Sequence, residues 1–360
     1  MLSPVHLQEG LRIFLRAQKV RAKGFKRYKG NASEICSKIV SDCWNGRYFQ
    51  VSRGNFPEFY TRDFGWCCES LLKLGYRKEV LSSLDYALGK FAAAGKITTA
   101  ISQGGKPFDF PCYAPDSLAY LIRSLKLANA KELVEKHGEF LNREARRFFQ
   151  TVIDANTGLV KADRCFSSMK DHAKRRSSCY DNVMAAMLKE DLSALRLENP
   201  LKSYNSKNAL VENFWNGRFF RDDLGSEYVA GDANVIPFWT GVIKSQSMLR
   251  KAVSSLQEEN LDMPFPLRYT NAKQDMILIE KLAKGYERDA VWTHMGPMFI
   301  SIVRKINKRK SDAYMKTYEK VIEKHGNYLE VFTKKGAPFH SPFYYCDEGM
   351  LWAANYLAIK

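Results

Sequence analysis

The sequence predicts an all-α chain folded as an (α/α)6 barrel, a six-hairpin toroid in a single domain, and three observations carry that reading. Two kinds of helical pattern alternate along the chain, six apolar nearly all round and six with one charged face. Each of the first kind follows an Asp, at positions 63, 116, 181, 232, 289 and 347, spaced by 51 to 65 residues. Finally, WNGRYFQVSRGNFPEFYTRD at 44–63 is echoed by WNGRFFRDDLGSEYVAGDAN at 215–234, an offset of 171 residues in a chain of 360. A helix that is apolar all round is packed on every side, whereas a one-sided helix shields such a helix from water. Six of each fit two concentric rings better than a layered sheet.

In chain order, the stretch VHLQEGLRIFLRAQKVRA predicts an N-terminal helix at about 5–22. Gln, Glu and Arg break its apolar runs, so no signal peptide is expected. No run approaches the 18 apolar residues of a membrane span. One-sided outer helices are expected at about 32–43, 77–94, 131–150, 203–214, 246–258 and 310–326. Between them stand the inner helices TRDFGWCCESLLKL, PDSLAYLIRSLKL, YDNVMAAMLKEDL, GDANVIPFW, RDAVWTHMGPMFISIVRKI and CDEGMLWAANYLAI. An Asp at each start suits a helix cap and the positive end of the helix dipole. No Pro/Gly/Ser-rich linker interrupts residues 1–360, which are expected to form one domain.

A chain that is 45% hydrophobic and 13% aromatic can fill a large core. Its eight cysteines include no CxxC pair, and a chain of this size needs no stapling, so reduced thiols in a cytoplasm are expected. The net charge of +17 raises the question of nucleic acid. Most Lys and Arg fall on outer helices and their ends, the ordinary place for solvated charge, so neither a nucleic-acid nor a membrane partner is expected. KDHAKRRSS at 170–178 is different. It brings Lys170, Lys174, Arg175 and Arg176 just ahead of Asp181, where they either stay solvated at the mouth or favour an anionic sugar.

If the inner helices run parallel, their N-termini and all six Asp gather at one mouth. The loops feeding that mouth are rich in aromatics, among them Tyr60, Phe108, Phe110, Trp215, Tyr344 and Tyr345. Sugar hydroxyls want carboxylate acceptors and sugar C–H faces want rings, so the expected partner is a carbohydrate substrate. His172, His294 and His340 lie in or near these loops without metal-ligand spacing, and neither a metal nor a cofactor is expected. The oligomeric state is left open.

TRDFGW at 61–66, YDN at 180–182 and YLEVFTKKGAPFHSPFYYCDEGMLWAANYL at 328–357 carry a resemblance. In order and spacing the chain resembles the six-hairpin glycosidases, which include glucoamylases, trehalases, processing α-glucosidases and the amylo-α-1,6-glucosidase module of glycogen-debranching enzymes. The resemblance implies hydrolysis of α-glucosidic bonds with inversion, in which a carboxylic acid protonates the leaving oxygen and a carboxylate across the sugar activates water. It implies Asp181 as the acid and Glu330 as the base. Asp347 or Glu348 stands in reserve, the two being about 100° apart on a helix so that only one faces a pocket. Arg62 and Asp63 would bind sugar hydroxyls, with Trp66, Asp116, Asp232, Asn234, Glu287, Asp289 and Trp292 lining the same mouth. Trehalases and processing glucosidases carry Glu-Ser-Gly where this chain has RSSCY at 176–180, and their Gly-rich base motif is absent, which points away from trehalose. Two other readings fit the same barrel: a sugar epimerase using His294 and His340, and a catalytically silent carbohydrate-binding protein.

Overall fold

The computed structural model describes residues 4–110, 112–274 and 279–360. Its helices, in chain order, are α1 (Pro4–Lys23), α2 (Ala32–Cys43), α3 (Thr61–Lys73), α4 (Arg77–Ala94), α5 (Pro115–Leu127), α6 (Lys131–Lys136), α7 (Gly138–Val152), α8 (Cys179–Ala194), α9 (Ser206–Phe214), α10 (Gly231–Trp239), α11 (Gln246–Glu258), α12 (Ile279–Leu282), α13 (Met295–Arg304), α14 (Lys308–His325) and α15 (Ala353–Ile359). Helices α3, α5, α8, α10, α13 and α15 pack each on the next, and α15 packs back on α3, which closes the inner ring. Around it α4 leans on α3 and α5, α7 on α5, α9 on α8, α11 on α10, α14 on α13 and α2 on α15. This is the (α/α)6 barrel that the alternating patterns predict.

Burial explains the two kinds of helix. Every residue of α8 from Cys179 to Leu188 is buried, so nothing on it needs to be polar except at its ends. Outer helix α7 buries Phe140, Leu141, Glu144, Ala145, Phe148 and Val152, one stripe at helical spacing. The pattern expected as one helix at 131–150 is two, broken at His137.

The repeated WNGR(Y/F)F segments adopt one structure twice. Each follows an outer helix and folds into a hairpin, with Trp44 bridging Phe49 and Trp215 bridging Phe220. Asn45 Oδ1 accepts from the backbone N–H groups of Arg47 and Tyr48, and Asn216 Oδ1 accepts from those of Arg218 and Phe219. Gly46 and Gly217 supply the left-handed turn, with φ of 90° and 95°. The hairpins lead into α3 and α10, the first and fourth inner helices.

Two helix starts differ from expectation. Asp289 and Asp347 do not open helices, because α13 begins at Met295 and α15 at Ala353. Short ribbons occupy the approach instead. The strands are β1 (Phe59–Tyr60), β2 (Ala100–Ile101), β3 (Pro107–Phe108), β4 (Val291–Trp292) and β5 (Val331–Phe332), with β1–β2–β3 and β4–β5 antiparallel. Pairing of β4 with β5 keeps the chain extended past Asp289, and helix formation waits until the ribbon ends.

Close approach of α3 to α5 depends on Gly65, where an added Cβ would lie 2.4 Å from the Cβ of Tyr120. Gly65→Ala should therefore lower stability by about 1–3 kcal/mol through overpacking. Gly89, inside α4, has nothing within 4 Å of the same position, so Gly89→Ala should leave stability unchanged or raise it by about 0.4–1 kcal/mol. Urea unfolding of the pair checks this; equal effects would contradict the packing described.

Candidate active site

The inner helices bring four acids to the N-terminal end of the barrel, and none of them is a cap. The caps of α3, α5, α8 and α10 are Tyr60, Ala114, Ser178 and Ala230, while Asp63, Asp116, Asp181 and Asp232 are second or third helical residues. There they meet the positive helix ends. All four are buried, so each needs a partner.

At this end lies a cavity of about 370 Å³, within the range of small-molecule sites. Its lining includes Arg62, Asp63 and Trp66 from α3, Met169, Asp171 and His172 from the segment before α8, and Tyr269, Tyr286, Glu287, Trp292 and His294 from the segments before α13. Glu330, Tyr344 and Trp352 line it from the approach to α15, and Gly10 and Ile13 of α1 with Ile279 and Leu282 of α12 complete it.

Arg62 organises the floor. Its Nη2 donates to Asp171 Oδ1 at 2.9 Å and its Nη1 lies 3.6 Å from Asp116 Oδ2. Asp116 also accepts from Tyr180 OH at 2.9 Å, and burial pushes its carboxyl up to about 7. Asp63 Oδ1 accepts from Trp352 Nε1 at 2.9 Å; burial, opposed by Arg62, leaves its carboxyl at about 6. Trp66 stacks on His294 with centroids 4.5 Å apart, and burial followed by the Arg62 charge holds that imidazole neutral, well below its ordinary value.

Three further carboxyls face the cavity. Glu330 accepts from Tyr286 OH at 2.9 Å, from the Asp347 backbone N–H at 2.8 Å and from Tyr344 OH. Burial, then the neighbouring Asp347 charge, pushes it up to about 7. Glu287 accepts from the His172 backbone N–H, and burial together with the Asp171 carboxylate raises it above the ordinary range. Asp171 Oδ1 accepts from Arg62 Nη2 and from Ser167 Oγ, while Oδ2 accepts no hydrogen bond among the described residues. The Asp171 side chain is 25% exposed, against 3% for the whole of Glu287, so it is Asp171 that opens toward the cavity.

Of the catalytic and substrate-binding residues expected from sequence, Arg62, Asp63, Trp66, Glu287, Trp292 and Glu330 line the cavity and the others do not, while Tyr60, Phe110, His172, His294 and Tyr344, expected in or near the mouth, line it too. Asp181 is buried, Ser168 and Ser178 hydroxyls donate to its two oxygens, and it does not line the cavity. Asp116 lies beneath Arg62. Asp232 is enclosed with Lys170 and Arg175, 3.4 and 3.1 Å away. Asn234 bonds the Phe220 N–H and C=O, holding the second hairpin. Asp289 pairs with Lys334 at 3.3 Å outside the cavity. Asp347 is held by Ser52, the Asn55 N–H and Arg16, and Glu348 by Arg16 and the Lys26 N–H. His340 stacks on Tyr345 away from the site.

The basic stretch is not an overhang either. Lys170 and Arg175 are buried on Asp222 and Asp232, while Lys174 and Arg176 are exposed. Asp171, Tyr269 and Tyr286 are site residues that sequence reasoning missed; the one signal for Asp171 was its place inside a charge run next to a helix start. No group of three or more His, Cys, Asp or Glu among the described residues could hold a metal ion, and no helix among them is long and apolar enough to cross a membrane.

An inner ring with a carboxyl-lined cavity at its N-terminal end is the architecture of a six-hairpin barrel. No protein-family model and no curated protein matches the chain. Solved structures do. The chain resembles a rhamnosidase from Klebsiella oxytoca with rhamnose bound, at TM-score 0.63 and 12% identity over 92% of this chain; it spans 65% of that protein's length. It also resembles a GH63 mannosylglycerate hydrolase from Thermus thermophilus in complex with glucose, at TM-score 0.61 and 12% identity over 92% of this chain and 99% of that one. A glycosidase variant in complex with glucose gives TM-score 0.62 and 10% identity over 100% and 98%. At these identities the likeness shows the fold, an (α/α)6 toroid shared with these proteins.

Glu330 binds its proton more tightly folded than unfolded, since its carboxyl stands at about 7 against an ordinary 4.5. That contribution is present below about pH 4.5 and is lost as pH rises through about 7. Glu330→Gln removes it, so the variant should gain stability relative to the parent between pH 5 and pH 8, by on the order of 1–3 kcal/mol. Paired thermal melts check this; a difference independent of pH would contradict the assigned environment.

Proposed function

We propose that the protein is an inverting glycoside hydrolase that acts on small neutral glycosides, with α-glucosidic bonds the first candidates. The observation that carries this is the placement of Asp171 and Glu330. They lie on the segments leading into α8 and α15, the third and sixth members of a closed ring of six, which stand opposite one another. A sugar between them lies on aromatic faces with a carboxyl on either side, the arrangement that acid–base hydrolysis of a glycosidic bond requires.

Glu330 is the general base. Two phenol hydroxyls and a backbone N–H point at its oxygens, which favours the carboxylate that must accept a proton from water. Asp171 is the general acid through its open Oδ2. Burial and the Asp171 charge raise the neighbouring Glu287 carboxyl above the ordinary range, and Arg62 fixes Asp171 Oδ1 as the acceptor side, which leaves Oδ2 to deliver the proton. The leaving oxygen takes that proton as the C–O bond breaks, and Glu330 takes a proton from the water that attacks the opposite face.

The charge of the cavity supports a neutral substrate. Arg62 is the cavity's lining cation among the described residues, and it is already paired with Asp171 and Asp116. The burial of Lys170 and Arg175 leaves no cationic rim from those two residues for a phosphorylated sugar. Among the similar structures the bound sugars are glucose and rhamnose, and one complex of the mannosylglycerate hydrolase holds the anion D-glycerate.

A panel of aryl glycosides and disaccharides with reducing-sugar detection tests the activity. Asp171→Asn and Glu330→Gln should each lower kcat/KM about 10²–10⁴-fold, while Asp181→Asn should act through stability alone. The parent's kcat/KM should fall as pH drops below about 7, where Glu330 takes up its proton, and fall again at higher pH as the raised Glu287 carboxyl loses its proton. Full activity in both site variants would refute these roles.

A further inference from the structure

Helix α1 stands outside both rings, yet it is joined to the base. Arg12 pairs with buried Glu58 at 2.6 Å and donates to the Asn55 carbonyl at 2.8 Å. One turn on, Arg16 places Nε 3.4 Å from Asp347 Oδ1 and Nη2 2.5 Å from Glu348 Oε1. Arg21 reaches the Ser341 carbonyl. These contacts hold Gly10 and Ile13 against the cavity.

Asp347 is the link inward. Its N–H donates to Glu330 Oε2 at 2.8 Å, and the Glu330 N–H donates to the Asp347 carbonyl at 2.9 Å, so the two residues are locked by reciprocal bonds. The loop 52–55 is shaped around the Arg16–Asp347 pair. A Cβ at Gly54 would lie 2.0 Å from Asp347 Oδ1 and 2.7 Å from Arg16 Nε, so a larger residue there displaces one partner or the other. Gly54 has no positive φ, so its role is the close approach.

We propose that α1 is a strap required by the reaction and that Arg16 is a positioning residue, which through Asp347 fixes the orientation and charge state of the base Glu330. This rests on the reading of Glu330 as the base. Glu330 is faced by Tyr286, Tyr344, Cys346 and Asp347; Asp347 in turn is faced by Arg16, Ser52, Cys43, Glu58 and Glu348. Burial raises Asp347, but Ser52 and the N–H groups of Asn55 and Glu348 all donate to it and favour its carboxylate when Arg16 is removed. Its charge, no longer offset by the guanidinium, then raises Glu330 further.

The test compares Arg16→Met, Arg16→Lys and Gly54→Ala with the parent, using the pH profile of kcat/KM on the best substrate of the panel. Arg16→Met and Gly54→Ala should move the acidic limb upward by about one unit, which costs about tenfold at pH 6. Arg16→Lys, which keeps the cation, should restore most of it. An acidic limb that does not move in Arg16→Met overturns the proposal. If no glycoside is hydrolysed, the function reading has failed separately. The strap is then read from Glu330 in carboxyl-labelled protein by 13C NMR, where a titration unchanged by Arg16→Met overturns it and an upward shift supports it.

Discussion

Arg62 is the interaction on which the candidate site depends. It is buried on the first turn of α3 and cannot exist there as an unpaired cation. Its partners, Asp116 on α5 and Asp171 ahead of α8, come from the next two members of the inner ring, so one guanidinium ties three successive hairpins to one floor. Removing it would leave two carboxyls without the cation that pairs with both. The opening of this helix with an Arg-Asp pair rather than a Ser or Thr cap follows from that duty: Asp63 takes the Trp352 N–H of the last hairpin while Arg62 holds the second and third.

A second ion cluster supports the same segment from below. Lys170 and Arg175, wholly enclosed, bind Asp222 and Asp232, and Asp171 follows Lys170 directly. Met169 and Ser177 at the two ends of this stretch have positive φ, a conformation that costs energy in a residue with a side chain. The acid-bearing segment is thus held in a strained path by paired charges.

The barrel was legible because ring position sets burial, and burial sets a periodic pattern that survives in sequence. Outer helices at 32–43, 77–94 and 246–258 fall where the charged face and apolar stripe say, and the twin hairpins at 44 and 215 repeat down to their asparagine bonds. The site was legible on that periodic frame at Arg62, Asp63 and Trp66, and off it at Glu287, Trp292 and Glu330, the last through the resemblance of its closing segment. Asp181 has the right address on a helix start, but the non-periodic segment before it folds over it and offers Asp171 instead. Periodicity holds no information about such a segment. Charge runs mislead for a related reason: Lys170 looks like surface until Asp222 and Asp232, far along the chain, are brought beside it.

The central claim is that Asp171 and Glu330 flank a sugar from opposite sides. A crystal structure of Glu330→Gln with an intact, slowly cleaved glycoside measures this directly. The account predicts the scissile oxygen within hydrogen-bonding reach of Asp171 Oδ2, a water between the sugar and residue 330, and carboxyl carbons about 6.5–9.5 Å apart. A separation near about 5 Å, or a sugar bound with its scissile bond away from Asp171, would contradict it.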